Sequence, residues 1–413
     1  MTLDQALQLV VSAIWAVAVF TGVASLAGLM TWGERKLASM IQDRIGPNRA
    51  NFMEFQAIFS PIKLLRPLFK DRFTAWGLFH IIADPVKLFM KEDFVPEGAH
   101  RVLHSLAPML SLGIPLIVFS VFPFAGPLHI VWRDIPAADL WPVGLLFPGD
   151  VLHLSDYYLK FAVADLNVGM LFVFAVSSLA VYGVILAGWS SNNKFSFLGA
   201  VRGANQMISY EVGLGLSAVG IFMIYGGVSL TTLVTGQSEL LWGFLPKWGI
   251  FTQPLAFILF LTCGMAEIKR VPFDLPEGES EIVAGYFTEY SSMKFTMFMF
   301  GEYVEMILLS AVLTTLFFGG YSIPGLSVAT LSGTAVGDLL GPNGTAALVV
   351  VLQAAKFAAF VVGGVYFIFM IRWTFPRFRY DQLMRMGWKS ILPLALVNII
   401  VTGLVLSLIR GWW

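Results

Sequence analysis

Five carboxylates fall within fifteen residues, at Glu267, Asp274, Glu277, Glu279 and Glu281, where an apolar run ends. Glu289, Glu302 and Glu305 continue the series, and Glu211 sits inside an earlier apolar run. Acids packed this densely repel one another and lose solvation, so some take up protons near neutral pH. An otherwise apolar chain tolerates such a cluster where it handles protons, metal ions or a polar substrate. Arg202, Lys269, Arg270, Arg372, Arg377 and Arg379 stand at the right level to pair with these acids. A network of ion pairs that only locks helices together is the competing reading, and for Glu305 it stays open.

The elements that hold these groups must lie in a membrane. The 413 residues carry no net charge, are 57% hydrophobic and only 13% charged, against about 25% charged in soluble domains. Their mean hydropathy is +0.77. One cysteine and five histidines exclude an iron–sulfur cluster, a haem pair or a thiolate zinc site on this chain. Cys263, in an apolar run, reads as a packed small residue. His100 and His104 have half-site spacing for a metal, but no carboxylate pattern accompanies them, so they read as interfacial histidines. No metal site and no nucleic-acid partner is expected. No glycine-rich nucleotide loop follows a strand pattern, so any electron-carrying cofactor belongs to other chains.

The expected fold is an all-α polytopic membrane protein, one membrane domain with about eight spans. They run near 7–32, 104–125, 161–188, 206–234, 251–268, 295–320, 346–371 and 391–410. The first is longer than a signal-peptide core and ends in Glu34-Arg35-Lys36, so it reads as a retained span. Connections after spans one, three, five and seven hold 21 Lys and Arg against four on the other side. That asymmetry predicts a cytoplasmic face for the former and both termini outside. The connection 34–103 is expected to carry amphipathic interfacial helices at Phe52–Phe69 and Trp76–Phe89. The outer connections 126–160 and 321–345 read as irregular caps. Placed at about 1.5 Å per residue, Glu211, Glu267, Glu302 and Glu305 share the cytoplasmic leaflet. Asp165 reads as an outer interfacial or capping acid. Lys356 is placed near the middle of the seventh span, with no partner identifiable.

Three segments go beyond composition. They are Glu34-Arg35-Lys36 through Arg44-Ile-Gly46-Pro47-Asn48; Gly188-Trp-Ser-Ser-Asn-Asn-Lys194 through Arg202 to Tyr210-Glu211; and Pro272-Phe-Asp274-Leu-Pro-Glu277-Gly-Glu279-Ser-Glu281 through Glu289-Tyr290-Ser291 to Glu302-Tyr303. Over nearly its whole length the chain resembles the H-subunit family of the proton-pumping NADH:quinone oxidoreductase, respiratory complex I. Gly77-Leu78, Ala83-Asp84-Pro-Val-Lys87-Leu88 and the stretch from Pro376-Arg377 to Met384 match it too.

The resemblance implies a bacterial inner-membrane component that forms the membrane side of a quinone chamber and starts a proton path. Glu34, Arg35, Arg44, Asp84, Lys87 and Arg270 match chamber positions. Glu211, Glu267, Asp274, Glu277, Glu279, Glu281, Glu289 and Glu302 match the proton path, with Arg202 and Tyr210 beside them. The implied substrate is quinone. FMN and iron–sulfur clusters would sit on partner subunits, and the implied neighbours are the quinone-site subunits of the soluble arm, small membrane subunits, antiporter-like subunits and lipid. The stretch 50–75 looks inserted relative to the family. Asn205, six residues before Glu211, is expected to add a hydrogen bond to the acid path. Two other readings stand beside this one: the equivalent component of a membrane-bound hydrogenase, and a stand-alone cation transporter. The sequence has no visible internal repeat, which weighs against the transporter.

Overall fold

The structure is a computed structural model that describes residues 3–48, 50, 75–130, 135–136, 151–152, 157–241, 243–332 and 335–410. Among them seven helices are long and apolar enough to cross a membrane: Gln8–Ile41, Arg101–Val121, Gly169–Ser190, Lys194–Tyr225, Ser292–Phe317, Leu339–Thr374 and Tyr380–Ile409. The chain is an all-α polytopic membrane protein. The helices that position the site are α1 (Leu3–Ile41), α2 (His80–Phe89), α3 (Arg101–Val118), α4 (Gly169–Ser177), α5 (Ala180–Ser190) and α6 (Lys194–Tyr225). After them come α7 (Pro254–Glu267), α8 (Ser292–Phe317), α9 (Ala335–Thr374), α10 (Tyr380–Met386) and α11 (Leu392–Arg410).

Helix α8 is the core, with its residues from Met306 to Phe317 buried without interruption. Around it stand α1, α3, α7 and α9, while α6 packs against α5, α7 and α11. Helices do not stop where the apolar runs stop. Helix α1 continues to Ile41, so Glu34 and Arg35 ride on its last turns instead of opening the connection. Glu, Arg, Lys, Leu and Ala all favour helix, and the backbone leaves it just before Asp43, which turns left-handed at φ 51°. Helix α6 begins at Lys194, capped by the Asn193 side chain, which accepts from the Phe195 N–H at 2.9 Å. It ends at Gly226, which adopts φ 74°.

Helix α7 has 14 residues, about 21 Å of rise, against a hydrocarbon core of about 30 Å. Gln253 breaks it from the short Gly249–Thr252 helix, and Gln253 is itself tied to α11. Its amide donates to Thr402 at 2.7 Å and accepts from Asn398 at 2.9 Å. Such bonds join helices where lipid offers the polar groups no alternative. The outer connection, expected to be irregular, contains a short antiparallel pairing of Leu128–Ile130 with Tyr157–Leu159. Helix α2 has no buried residue, as an interfacial amphipathic helix should. The Phe52–Phe69 helix and most of the 50–75 insertion lie outside the described residues.

Two sequence candidates find structural partners. The His104 ring is buried and stacked on Tyr290, with centroids 4.0 Å apart, while His100 accepts from the Leu103 N–H at the start of α3. Lys356 donates to the carbonyls of Phe318 and Ser322 at 2.7 and 2.6 Å, just beyond the end of α8. The rings of Trp248 and Phe360 lie 4.9 and 5.4 Å from its Nζ. The ammonium thus closes a helix C-terminus, where cations are favoured. Lys356→Met should strand both carbonyls and cost about 1–3 kcal/mol. A thermal melt of the purified complex should fall accordingly, and an unchanged melt would remove the capping role.

Candidate functional site

Helix α7 ends at Glu267, and the connection 268–291 then folds into the bundle instead of out to water. Ile268, Phe273, Leu275, Tyr286 and Phe287 are buried there, together with Lys269, Arg270 and Asp274. Backbone buried this way needs partners. The fully buried Gln206 side chain supplies two, donating to the carbonyls of Ala266 and Phe273 at 2.7 Å each. Ser196 donates to the Tyr286 carbonyl at 2.9 Å. Helix α6 and the connection meet backbone to backbone. A Cβ on Gly285, at φ 57°, would lie 1.6 Å from the Pro276 carbonyl oxygen, and one on Gly199 would lie 2.8 Å from that same oxygen. Only glycine fits both places. From the other side, the Phe378 N–H donates to Pro272 at 3.0 Å and its ring stacks on Phe273. Tyr210 acts as a strut, its hydroxyl donating to the Leu383 carbonyl at 2.9 Å.

Arg270 is the centre of charge. Its guanidinium lies 3.6 Å from Glu34 and 3.0 Å from Glu302, and 5.0 Å from the Tyr303 ring centroid. Glu34 also accepts from Arg372 and from the Tyr303 hydroxyl. Tyr286 donates to Glu302 at 3.2 Å. Burial disfavours the charge on Arg270, but the carboxylates of Glu302 and Glu34 outweigh it and hold the group above its usual range. Glu277 is pushed well above the usual carboxylate range, first by burial and then by the Glu302 carboxyl to which it is hydrogen-bonded. Burial also raises Asp274, in spite of its ion pair with Arg377 at 2.5 Å.

The cluster opens onto a cleft of about 740 Å³. Glu34, Arg35, Arg44, Arg270, Arg372, His80 and Tyr303 give it polar groups; Phe287, Phe295, Met299 and Trp373 give it an apolar wall. One edge is the 44–48 segment crossing Gly77, where a Cβ would meet the Pro47 carbonyl oxygen at 2.1 Å. The lining is thus at least as polar as it is apolar, with the apolar residues gathered on one wall. Of the six expected chamber residues, four line the cleft. Asp84 instead pairs with Arg35 at 2.6 Å and sits behind it, and Lys87 is exposed on α2 outside the lining.

The remaining acids divide by position. Glu267 and Glu305 line a separate, mostly apolar cavity of about 50 Å³ between α7 and α8, with Lys269 at 3.2 Å from Glu305. Glu211 is partly buried on α6, within electrostatic reach of Glu267. Glu281 is exposed and pairs with Arg202 at 2.6 Å, and Glu289 accepts from Asn193 at 2.6 Å, both on the rim of the connection. The Glu279 side chain lies outside what is described. Arg379 pairs with its neighbour Asp381, not with the acid cluster. Asn205 donates to Tyr380 at 3.4 Å, so it does not add to the acid path. Asp165 pairs with Lys160 at 3.1 Å. Sequence reasoning gave no site role to Tyr286, Gln206, His80 and Trp373. Of these, Gln206 stands in the second segment, in the run to Glu211, and Tyr286 lies between two flagged acids.

A family model described as NADH dehydrogenase matches residues 14–403. The H subunit of the NADH-quinone oxidoreductase of Flavobacterium psychrophilum is 38% identical, over 95% of this chain and 96% of that one. The first H subunit of Cytophaga hutchinsonii is 40% identical over 94% of each chain, and the first H subunit of Geobacter sulfurreducens 40% over 94% and 93%. Likeness at that level, sustained from end to end, means that this chain belongs to the H-subunit family of NADH-quinone oxidoreductase, complex I.

Proposed function

We propose that this chain forms the membrane side of a quinone chamber in NADH:quinone oxidoreductase and passes the demand of quinone reduction into a proton path of glutamates. One observation carries the reading: Arg270 pairs with Glu34 in the cleft wall and with Glu302 inside the bundle. Reduction of a quinone consumes two electrons and two protons. The electrons come from flavin and iron–sulfur groups on partner subunits, since this chain has one cysteine, and that one buried. A quinone ring fits the cleft by its chemistry, with apolar walls for the ring and the donors Arg35, Arg44, Arg270 and Tyr303 for its oxygens. Negative charge developing on those oxygens shifts Arg270 toward the ligand. The Glu34, Glu302 and Glu277 set then redistributes its protons as one coupled system. Glu267 and Glu211 continue the path into the membrane. The Lys and Arg asymmetry supports an inner-membrane orientation with both termini outside.

Steady-state kinetics test the chamber. Arg44→Ala should raise the apparent quinone KM about tenfold through loss of one charged hydrogen bond. Unchanged kinetics would take the Arg44 side of the cleft out of the quinone path. Co-purification with flavin and iron–sulfur subunits, and NADH oxidation that depends on quinone, separate this reading from a hydrogenase component or a lone transporter.

A further inference from the structure

Lys269 and Arg270 are adjacent cations that serve different acid sets. Lys269 follows the end of α7 at φ 64°, a left-handed conformation rare for a residue with a side chain. Arg270 next to it reaches Glu34 and Glu302, while the Lys269 ammonium, 1% exposed, reaches Glu305. Glu302 and Glu305 are one turn apart on α8, so a single helix presents one acid to each set. The inner set has two carboxyls, Glu267 and Glu305, and one ammonium within electrostatic reach of both. Glu305 Oε1 is buried with no hydrogen-bond partner among the described residues. The cavity that both acids line, about 50 Å³, has room for a few waters, each needing about 10–15 Å³.

We infer that Lys269 is a two-position switch that pairs alternately with Glu305 and Glu267, making these three groups a relay inward of the Arg270 cluster. A buried site with a single ammonium in contact favours one ionised carboxylate and one protonated carboxyl, because a second bare charge finds only the Arg270 guanidinium, already paired with Glu34 and Glu302. In one state Glu305 is ionised on Lys269 and Glu267 holds the proton. In the other, Glu305 has taken up one proton, Glu267 has given one up, and the ammonium has moved to Glu267. The set is neutral in both states, and Lys269 keeps its own protons throughout. Lys269 is a positioning residue, and the inference rests on the proton-path reading above.

The test uses the intact complex in inverted membrane vesicles, measuring assembly, quinone-dependent NADH oxidation and protons moved per NADH. Lys269→Met combined with Glu305→Leu removes both charges together, a replacement that buried pairs generally tolerate. The double variant should assemble yet move at least tenfold fewer protons per NADH. If it pumps like the unmodified complex, the pair only ties α7 to α8 and the switch is wrong. Glu302→Gln, run alongside, shows whether the wider path fails with it: lost pumping there leaves that reading standing. Should the double variant not assemble, Lys269→Arg decides, since a guanidinium held bidentately on one carboxylate cannot alternate. It should assemble and lose pumping tenfold or more; normal pumping would overturn the switch.

Discussion

Glu302→Gln should abolish proton-coupled quinone reduction while the complex still assembles. The amide has the shape of the carboxyl and can still accept from Tyr286, which donates at 3.2 Å. It offers Glu277 no carboxyl with which to exchange a proton, and it removes the carboxyl 3.0 Å from Arg270. Losing a positioned proton-transfer group lowers rates by about a hundredfold or more. The check is NADH-driven acidification of inverted vesicles together with subunit content. Normal pumping in that variant would argue that the acids are structural ion pairs.

Arg270→Met should have the larger structural effect. It leaves Glu302, 2% exposed, and Glu34, 5% exposed, without their common cation. Removing one partner of a buried pair costs about 3–5 kcal/mol, because the other charge stays buried. Arg372 still reaches Glu34, but among the described residues Glu302 keeps only neutral donors, Tyr286 and the Glu277 carboxyl. The expected result is loss of the assembled complex from membranes. Arg270→Lys should restore assembly with a raised quinone KM, since one ammonium cannot span the two carboxylates that the guanidinium spans. Full assembly of Arg270→Met would show that the carboxyls there are neutral and need no cation.

Much of this was legible in the chain. Charges inside apolar runs marked the site, because each is expensive in a membrane and has to be answered by a partner. That logic named Arg202, Arg270 and Arg377 among the cations able to answer the acids, and the structure pairs them with Glu281, Glu302 and Asp274. It could not say which acids meet. The inward fold of 268–291 depends on Gly199, Gly285 and Gln206, ordinary residues whose importance comes from contacts some 60 to 90 positions away. Nor could it follow α1 past Trp32, since a helix leaving the membrane changes its hydropathy and not its backbone. Lys356 looked like a mid-membrane charge awaiting a partner; its partners are carbonyls, which composition never reveals.

The crossing of Gly199 over Pro276 and Gly285 leaves no slack for an added methyl group, and therefore none for sliding. A segment pinned that closely has little room to shift its main chain along α6. The proton path proposed above would then run through rotating side-chain tips beside a stationary main chain.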